Sequence, residues 1–427
     1  MRSASRRLLR PALACCLLVT TALVSAGCST GQDRTVVVLG PWTDGEEIPF
    51  VRMLKEIGRR TGQSYEYEGT RSLRETLSAQ LRTETPPDVA ILNGLGELAE
   101  YARDGDAKAL TEDVAGSALG PWAQQITLED ATGERRRHSY WVPVRVDLKS
   151  IVWSRPGDLK AAENPRWCLG MASGATSGWP GTDWIEDLLL QKYGANVYED
   201  WATGKLRWTS PQVRWAWRAW RDVLAQDGPK AAEKAISTEF ENLGGGRYGL
   251  LNSGRCTLEH QGSFIRRHYD DDVLPAPTRM FVPGLPAGPR TFEVSGDMAA
   301  VFRPSDAAWD LVRELTSQPA RDVWARTAKP QERPLFPDRS TGDGRLSAGT
   351  AAVQNLFSAA DEICFDASDA MPSTLRGAFQ RAVLEFLQDP RDPALLEKLL
   401  EQLDAERLLQ ERAGAFALDH LCGDPGD

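Results

Sequence analysis

Hydrophobic positions along the chain fall into short continuous runs that alternate with amphipathic stretches. Residues 35–39 hold Val36, Val37, Val38 and Leu39 in succession, which reads as a buried parallel strand, and glycine, proline and aspartate at 40–45 break it. From 48 to 60, Phe50, Leu54 and Ile57 recur three or four apart, and Gly62 supplies a stop, so an amphipathic helix is predicted. A strand at 64–68 follows. Ser72 and Glu75 then have the spacing of a reciprocal cap for a helix carrying Leu73, Leu77 and Leu81 on one face. Pro86 and Pro87 deliver the chain to a third strand at 88–92. Strand, helix, strand, helix, strand predicts an α/β layer with right-handed parallel connections.

In an open parallel sheet, the loops beyond the carboxyl ends of the strands are free to face a ligand. Here they are 41–47, 69–70 and 93–96, which makes Trp42, Asp44, Glu46 and Asn93 candidates. Trp42, among glycine, proline and aspartate, is expected to be exposed for contact; Asp44 and Glu46 serve equally well as surface-turn residues.

Further along, β-rich runs occupy 140–146 and 151–153, and a loop of glycine and small hydroxyl residues covers 170–181. A helix is expected to begin at Asp183. Backbone N–H groups at such a loop suit a polar ligand, and the loop lacks a Walker-type phosphate signature. The chain has 14 Trp. Trp215, Trp217 and Trp220 share one predicted helix and read as packing. Trp42, Trp179 and Trp184 fall at loop or cap positions, where an aromatic face beside hydrogen-bonding groups suits a sugar ring. A strand at 291–295 precedes Gly296, Asp297 and a second apolar run at 298–302. Then come a helix at 307–327, a proline-rich crossing at 330–337 and terminal helices at 373–387 and 393–411, the last with a stripe of Leu395, Leu396, Leu399, Leu400 and Leu403.

At 427 residues the chain favours two domains over one core. A formal charge of -10, with 50 basic against 60 acidic residues, weighs against nucleic acid as a partner. Arg2, Arg6, Arg7 and Arg10 precede an apolar stretch at 12–26 that ends at Gly27 and Cys28. This is the pattern of an export signal, and the stretch is shorter than the roughly 20 residues of a membrane-spanning helix. Residues 23–28 resemble a bacterial lipoprotein cleavage box, which implies a lipidated Cys28. Removing 1–27 takes four Arg and no acid and moves the formal charge from -10 to -14. Cys15 and Cys16 leave with the signal. Cys168, Cys256, Cys364 and Cys422 remain, an even number for an oxidising compartment. Three pairings are open, with first to second and third to fourth preferred. A zinc site from such distant cysteines would lack the usual close-spaced pairs.

Residues 168–170, 178–188 with Trp179, Asp183 and Trp184, 198–201, Cys256 with 260–264, Gly296 with Asp297, and 365–372 carry an ordered pattern. Together they resemble the alpha-glucoside-type branch of extracellular solute-binding proteins, the lipid-anchored or periplasmic receptors of sugar ABC transporters, over most of the mature chain. The resemblance implies an α/β, two-lobe fold of the periplasmic-binding-protein type II, with several crossing segments and a ligand enclosed in the cleft between lobes. It also supports a Cys168–Cys256 clip. Carried over residue by residue, it makes Trp179, Asp183 and Trp184 second-lobe candidates, places Gly296 and Asp297 at the return crossing, and adds Asp369. Asp183, Asp297 and Asp369 read as acceptors for sugar hydroxyls, with capping of a neighbouring helix as the alternative. Arg145 and Lys149 are expected to position an acidic ligand or to pair with interlobe carboxylates.

The expected organisation is a signal peptide at 1–27, a lipidated tether at 28–34, lobe 1 at 35–143 and 290–340, and lobe 2 at 144–289 and 341–427. The expected function is capture of a sugar, a glucoside or oligosaccharide, for an ABC permease. The receptor is expected to be a monomer at the outer face of the cell membrane, with no cofactor, metal or catalytic residue. Nutrient sensing without transport is the alternative. A secreted glycoside hydrolase would need Asp183 and Asp297 as acid and base. The chain has no His-Glu-x-x-His motif, and the serines near 170–178 miss nucleophile-elbow spacing.

Overall fold

A computed structural model describes residues 34–116, 119–129, 133–157, 165–228, 230–342 and 344–423. The export signal, Cys28 and the expected tether up to residue 33 lie outside the described residues. The valine run forms β1 (Val36–Gly40), followed by α1 (Ile48–Thr61), β2 (Tyr65–Gly69), α2 (Leu73–Arg82) and β3 (Val89–Leu92). β1 pairs in parallel with β2 on one side and β3 on the other, as the alternation predicts. α1 buries Phe50, Met53, Leu54 and Ile57 and stops at Gly62, whose φ of 78° a side chain would resist. The expected reciprocal cap of α2 does not form: Ser72 makes no side-chain capping bond, and its N–H instead donates to Thr70 Oγ1 at 3.1 Å.

After α3 (Leu95–Arg103), the short α4 (Glu112–Ala115) and the hairpin of β4 (Ile126–Glu129) and β5 (Arg135–His138), the chain enters β6 (Trp141–Leu148) and β7 (Ile151–Ser154). Next come α5 (Trp179–Tyr193), α6 (Ala195–Ala202), α7 (Pro211–Leu224), α8 (Ala231–Ser237) and the small hairpin of β8 (Asn242–Gly244) and β9 (Arg247–Tyr248). β10 (Glu259–His260) and β11 (Leu274–Pro277) flank β7 in a second, three-stranded sheet. The return is made by β12 (Thr291–Val301), then α9 (Asp306–Leu315), α10 (Gln318–Thr327) and α11 (Ala348–Ser358). β13 (Glu362–Phe365), α12 (Ala367–Ala370), α13 (Ser373–Phe386), α14 (Pro393–Arg412) and β14 (Cys422–Gly423) complete the order.

The main sheet runs β14-β13-β12-β3-β1-β2, with β6 also on β12. The first residues of β12 pair in parallel with β13 and its last four pair antiparallel with β3, while β6 accompanies it along most of its length. β6 and β12 therefore run side by side through the main sheet, from the β3 side to the β13 side. The strand break expected at Gly296 and Asp297 is instead a register shift within one continuous strand: Asp297 faces Arg145, and Met298 faces Pro143. Gly296 is required by close approach, since a Cβ there would lie 2.9 Å from the Arg145 carbonyl oxygen. A third segment joins where Val146 N donates to the Leu335 carbonyl at 2.8 Å.

Two other boundaries differ from expectation. The helix expected at 307–327 divides into α9 and α10 because Pro319 belongs in a first turn, and Ser317 caps it by accepting from Ala320 N. α5 begins at Trp179, four residues before Asp183, with Pro180 in its first turn and Gly178 at φ 103° before it.

One apolar cluster gathers Phe50, Ile91, Val301, Leu311, Trp324 and Phe336. The other centres on Trp201, Trp208, Trp217 and Trp220 against Phe379 and Phe386, mostly edge to face. Trp217 and Trp220 are fully buried and Trp215 packs partly buried beside them, in line with the packing reading. Disulfides join Cys168 to Cys256 and Cys364 to Cys422, the preferred pairing. Among the described residues, no helix is long and apolar enough to cross a membrane.

Candidate functional site

The alternation of β6 sets the site. Arg145 and Asp147 stand two residues apart and so project from one face of the strand, and Lys149 continues that spacing just past its end. Opposite them on β12 are Asp297 and Ser295, fixed by register. Arg145 Nε donates to Asp297 Oδ2 at 2.8 Å, and its Nη2 reaches Glu46 Oε1 at 3.2 Å. Lys149 Nζ meets Asp183 at 2.9 Å and also bonds Asp366. Asp147 accepts from Ser263 Oγ at 2.6 Å.

Sequence reasoning expected an exposed Trp42; the structure corrects this. Its side chain is buried because the loop folds back over β2: Tyr67 Oη accepts from Trp42 N at 2.8 Å and donates to Trp42 O at 3.1 Å. The indole packs on Phe50 and Trp324, and the Arg145 guanidinium lies 4.9 Å above its ring. Trp42 is thus a floor under Arg145. Trp184 is likewise a core residue, not a cap: it is buried within α5 and stacks on His260 at 4.2 Å. Asp44 is an exposed turn residue at φ 59°, bonded by Thr43 Oγ1 at 2.8 Å. Asn93 is exposed beyond β3, and Gly296 acts through backbone spacing.

The helix-capping alternative for the aspartates resolves onto a neighbour. Asp183 lies inside α5, whereas Asp366 caps α12 by accepting from Asp369 N at 2.8 Å. Asp369 instead pairs with Arg376 at 2.6 Å. Trp179 remains half-buried and joins Phe240 at 5.0 Å and Phe264 at 5.8 Å in an aromatic triad, with the Lys149 ammonium 5.7 Å from its ring. Phe240, Phe264, Arg267, Asp366 and Arg376 were missed. Phe264 and Asp366 belong to segments that carried the family pattern; Phe240, Arg267 and Arg376 lie far in sequence from the partners that define them.

Burial governs the electrostatics. It lifts Asp183 to about 6, with Asp366 adding to the rise and Lys149 opposing it. It lifts Asp369 to about 7 despite Arg376. Asp366 is pushed up by burial, but the Lys149 ammonium outweighs this and holds it at about 2. Burial raises Asp297 above the usual carboxylate range even beside Arg145. For Glu46 the order reverses: Arg267, Arg145 and Arg71 together overcome burial and hold its carboxyl low. Asp183, Glu186 and Asp366 bring carboxylate oxygens within 4.8 Å of one another, the spacing of a metal site. Lys149 already stands between two of them as the counter-charge.

Two sets of long-range contacts flank this row of charges. On one side Arg267 Nη1 forms an ion pair with Glu46 Oε2 at 2.7 Å. On the other, Ser373 donates its N–H to Glu100 at 2.8 Å and accepts from Arg74 at 2.6 Å. There a Cβ on Gly96 would come within 2.0 Å of the Met371 carbonyl oxygen.

No family model matches the chain. Over 402 residues it is 26% identical to the alpha-glucosides-binding periplasmic protein AglE of Rhizobium meliloti (strain 1021), spanning 83% of this chain and 84% of the relative. Over 413 residues it is 27% identical to the osmoprotective compounds-binding protein GgtB of Synechocystis sp. (strain ATCC 27184 / PCC 6803 / Kazusa), spanning 87% and 93%. A solved chitin oligosaccharide binding protein superposes with a TM-score of 0.65 at 14% identity, covering 88% of this chain and all of that one. The fold is therefore the two-lobed α/β fold of solute-binding proteins. Both curated relatives are named as binding proteins, and the solved structures that superpose on the chain share its fold.

Proposed function

We propose that the chain captures a neutral sugar, a glucoside or short oligosaccharide, between its lobes and delivers it to an ABC permease. The observation that carries this reading is the half-buried triad of Trp179, Phe240 and Phe264 beside a row of hydrogen-bonding charges that are already paired. An aromatic face accepts the weakly polar C–H face of a sugar ring, and the neighbouring polar groups meet its hydroxyl rim. Arg145 and Lys149 each already hold two carboxylates, so an acidic ligand would have to displace one of them. This favours the neutral class. The names of the AglE and GgtB relatives support a small polar solute, and AglE's supports a glucoside.

The expected lobe ranges, 35–143 with 290–340 and 144–289 with 341–427, belong to this proposal, as do lipidation at Cys28 and contacts from Asp183, Asp297 and Asp369. Ligand bridging both lobes stabilises a closed arrangement that a permease reads. Thermal unfolding with neutral disaccharides, oligosaccharides, uronic acids, amino acids and betaines tests it. A bound sugar at 100 times its Kd adds about 2.7 kcal/mol of stability, and Trp179→Ala is expected to weaken binding about tenfold or more. Stabilisation by a non-sugar class alone overturns the sugar reading.

A further inference from the structure

Glu46 leaves β1 in the loop before α1, and its carboxylate meets guanidinium groups from three elements. Arg71, just after β2, approaches to 3.7 Å; Arg145 on the crossing strand β6 to 3.2 Å; and Arg267, in a 3-10 turn of the opposite half (Ser263–His268), to 2.7 Å. Arg267 is held from behind, because Glu241 bonds its Nη2 at 2.7 Å and also bonds His268 at 3.0 Å. The side chains of Glu46 and Arg267 are 14% and 15% exposed, shielded enough to attract strongly yet close enough to water to be resolvated on opening.

We propose that Glu46 and Arg267 form a clasp that holds the two lobes together before any ligand arrives, so that the ligand-free protein already populates a closed form. The inference rests on the two-lobed fold and is independent of which solute is bound. Its geometry permits a clean removal. In Arg267→Met, Glu46 keeps Arg145 and Arg71, Glu241 keeps His268, and no carboxylate is stranded. In Glu46→Gln, Arg145 keeps Asp297 and Arg267 keeps Glu241.

The test uses the full chain in detergent, without ligand, with donor and acceptor dyes on cysteines introduced at Lys55 in α1 and Glu385 in α13, both exposed. Single-molecule energy transfer is expected to show a dominant high-transfer population for the parent protein. Either variant is expected to move the opening equilibrium about tenfold toward the low-transfer form, the shift that about 1.4 kcal/mol produces. Arg267→Met indistinguishable from the parent overturns the clasp; should that variant not fold, Glu46→Gln indistinguishable from the parent does so. Because no ligand enters, failure here leaves the sugar reading intact, and failure of the sugar panel leaves the clasp intact.

Discussion

Two charge clusters lie along the same crossing strand and obey different rules. Around Arg145, three arginines (Arg71, Arg145, Arg267) face Glu46, Asp297 and Glu241, and the side chains of Arg145, Glu46 and Arg267 keep 14% to 19% of their surface in contact with solvent. Around Lys149, one ammonium serves Asp183 and Asp366, with Glu186 and Glu293 close enough to push on them, and exposure falls to 7% or less. The first cluster is balanced and reaches water, so it can come apart and re-form. The second carries more carboxyl groups than cations in a dry site, so it persists only by holding protons. On the proposed clasp, stoichiometry and solvent reach distinguish the contact that moves from the contact that stays fixed.

The sharpest way to break this contrast is Lys149→Met. Removing the ammonium leaves Asp183 and Asp366 buried without their counter-charge, a change that costs about 3–5 kcal/mol in comparable buried pairs. Urea unfolding is expected to show a loss of that size. A loss under about 1 kcal/mol would mean that the carboxyl groups do not depend on the lysine.

A second effect follows from the protons. Asp183 at about 6 and Asp369 at about 7 lie above their unfolded value, and burial moves Glu186 and Glu293 the same way. The native state therefore binds more protons than the unfolded chain above about pH 4, so stability is expected to fall as pH rises from about 4 to about 7. The lowered Asp366 and Glu241, both at about 2, act oppositely and lose their contribution only below about pH 4. Melting temperature against pH checks the sign. Asp369→Asn is expected to flatten the decline, and a steady rise from pH 4.5 to 7.5 would contradict the assignment.

How much of this was legible in sequence depends on range. β1, α1 and β3 were readable because their signals lie within a dozen residues: a valine run, a three-four spacing, a glycine stop. Asp297 was named because the strand pattern and the family motif coincided there, and Arg145 from its place in a β-rich run; the register of β6 and β12 sets the two opposite each other. Trp42 was misplaced because the bond that buries it comes from Tyr67, on the next strand, and loop composition carries no trace of it. Arg267 was invisible for the same reason: its meaning comes from Glu46, more than two hundred residues earlier. The single strand β12 read as two because Gly296 looked like punctuation; its cause, the nearness of the β6 backbone, is a tertiary fact.

The smallest expected effect sharpens the contrast from within the first cluster. Arg71 bears on the same carboxylate as Arg145 and Arg267, yet its side chain is 53% exposed and its nearest nitrogen stands 3.7 Å away. If the sign of the charge alone mattered, the three arginines would be interchangeable. If solvent reach decides, water screens Arg71 and its loss is nearly free. Arg71→Met is accordingly expected to change unfolding stability by about 1 kcal/mol or less and to leave the ligand-free energy-transfer distribution where it was. An opening as large as that of Arg267→Met would place the closing force in the summed charge around Glu46, and the distinction between a clasp and a diffuse basic rim would disappear.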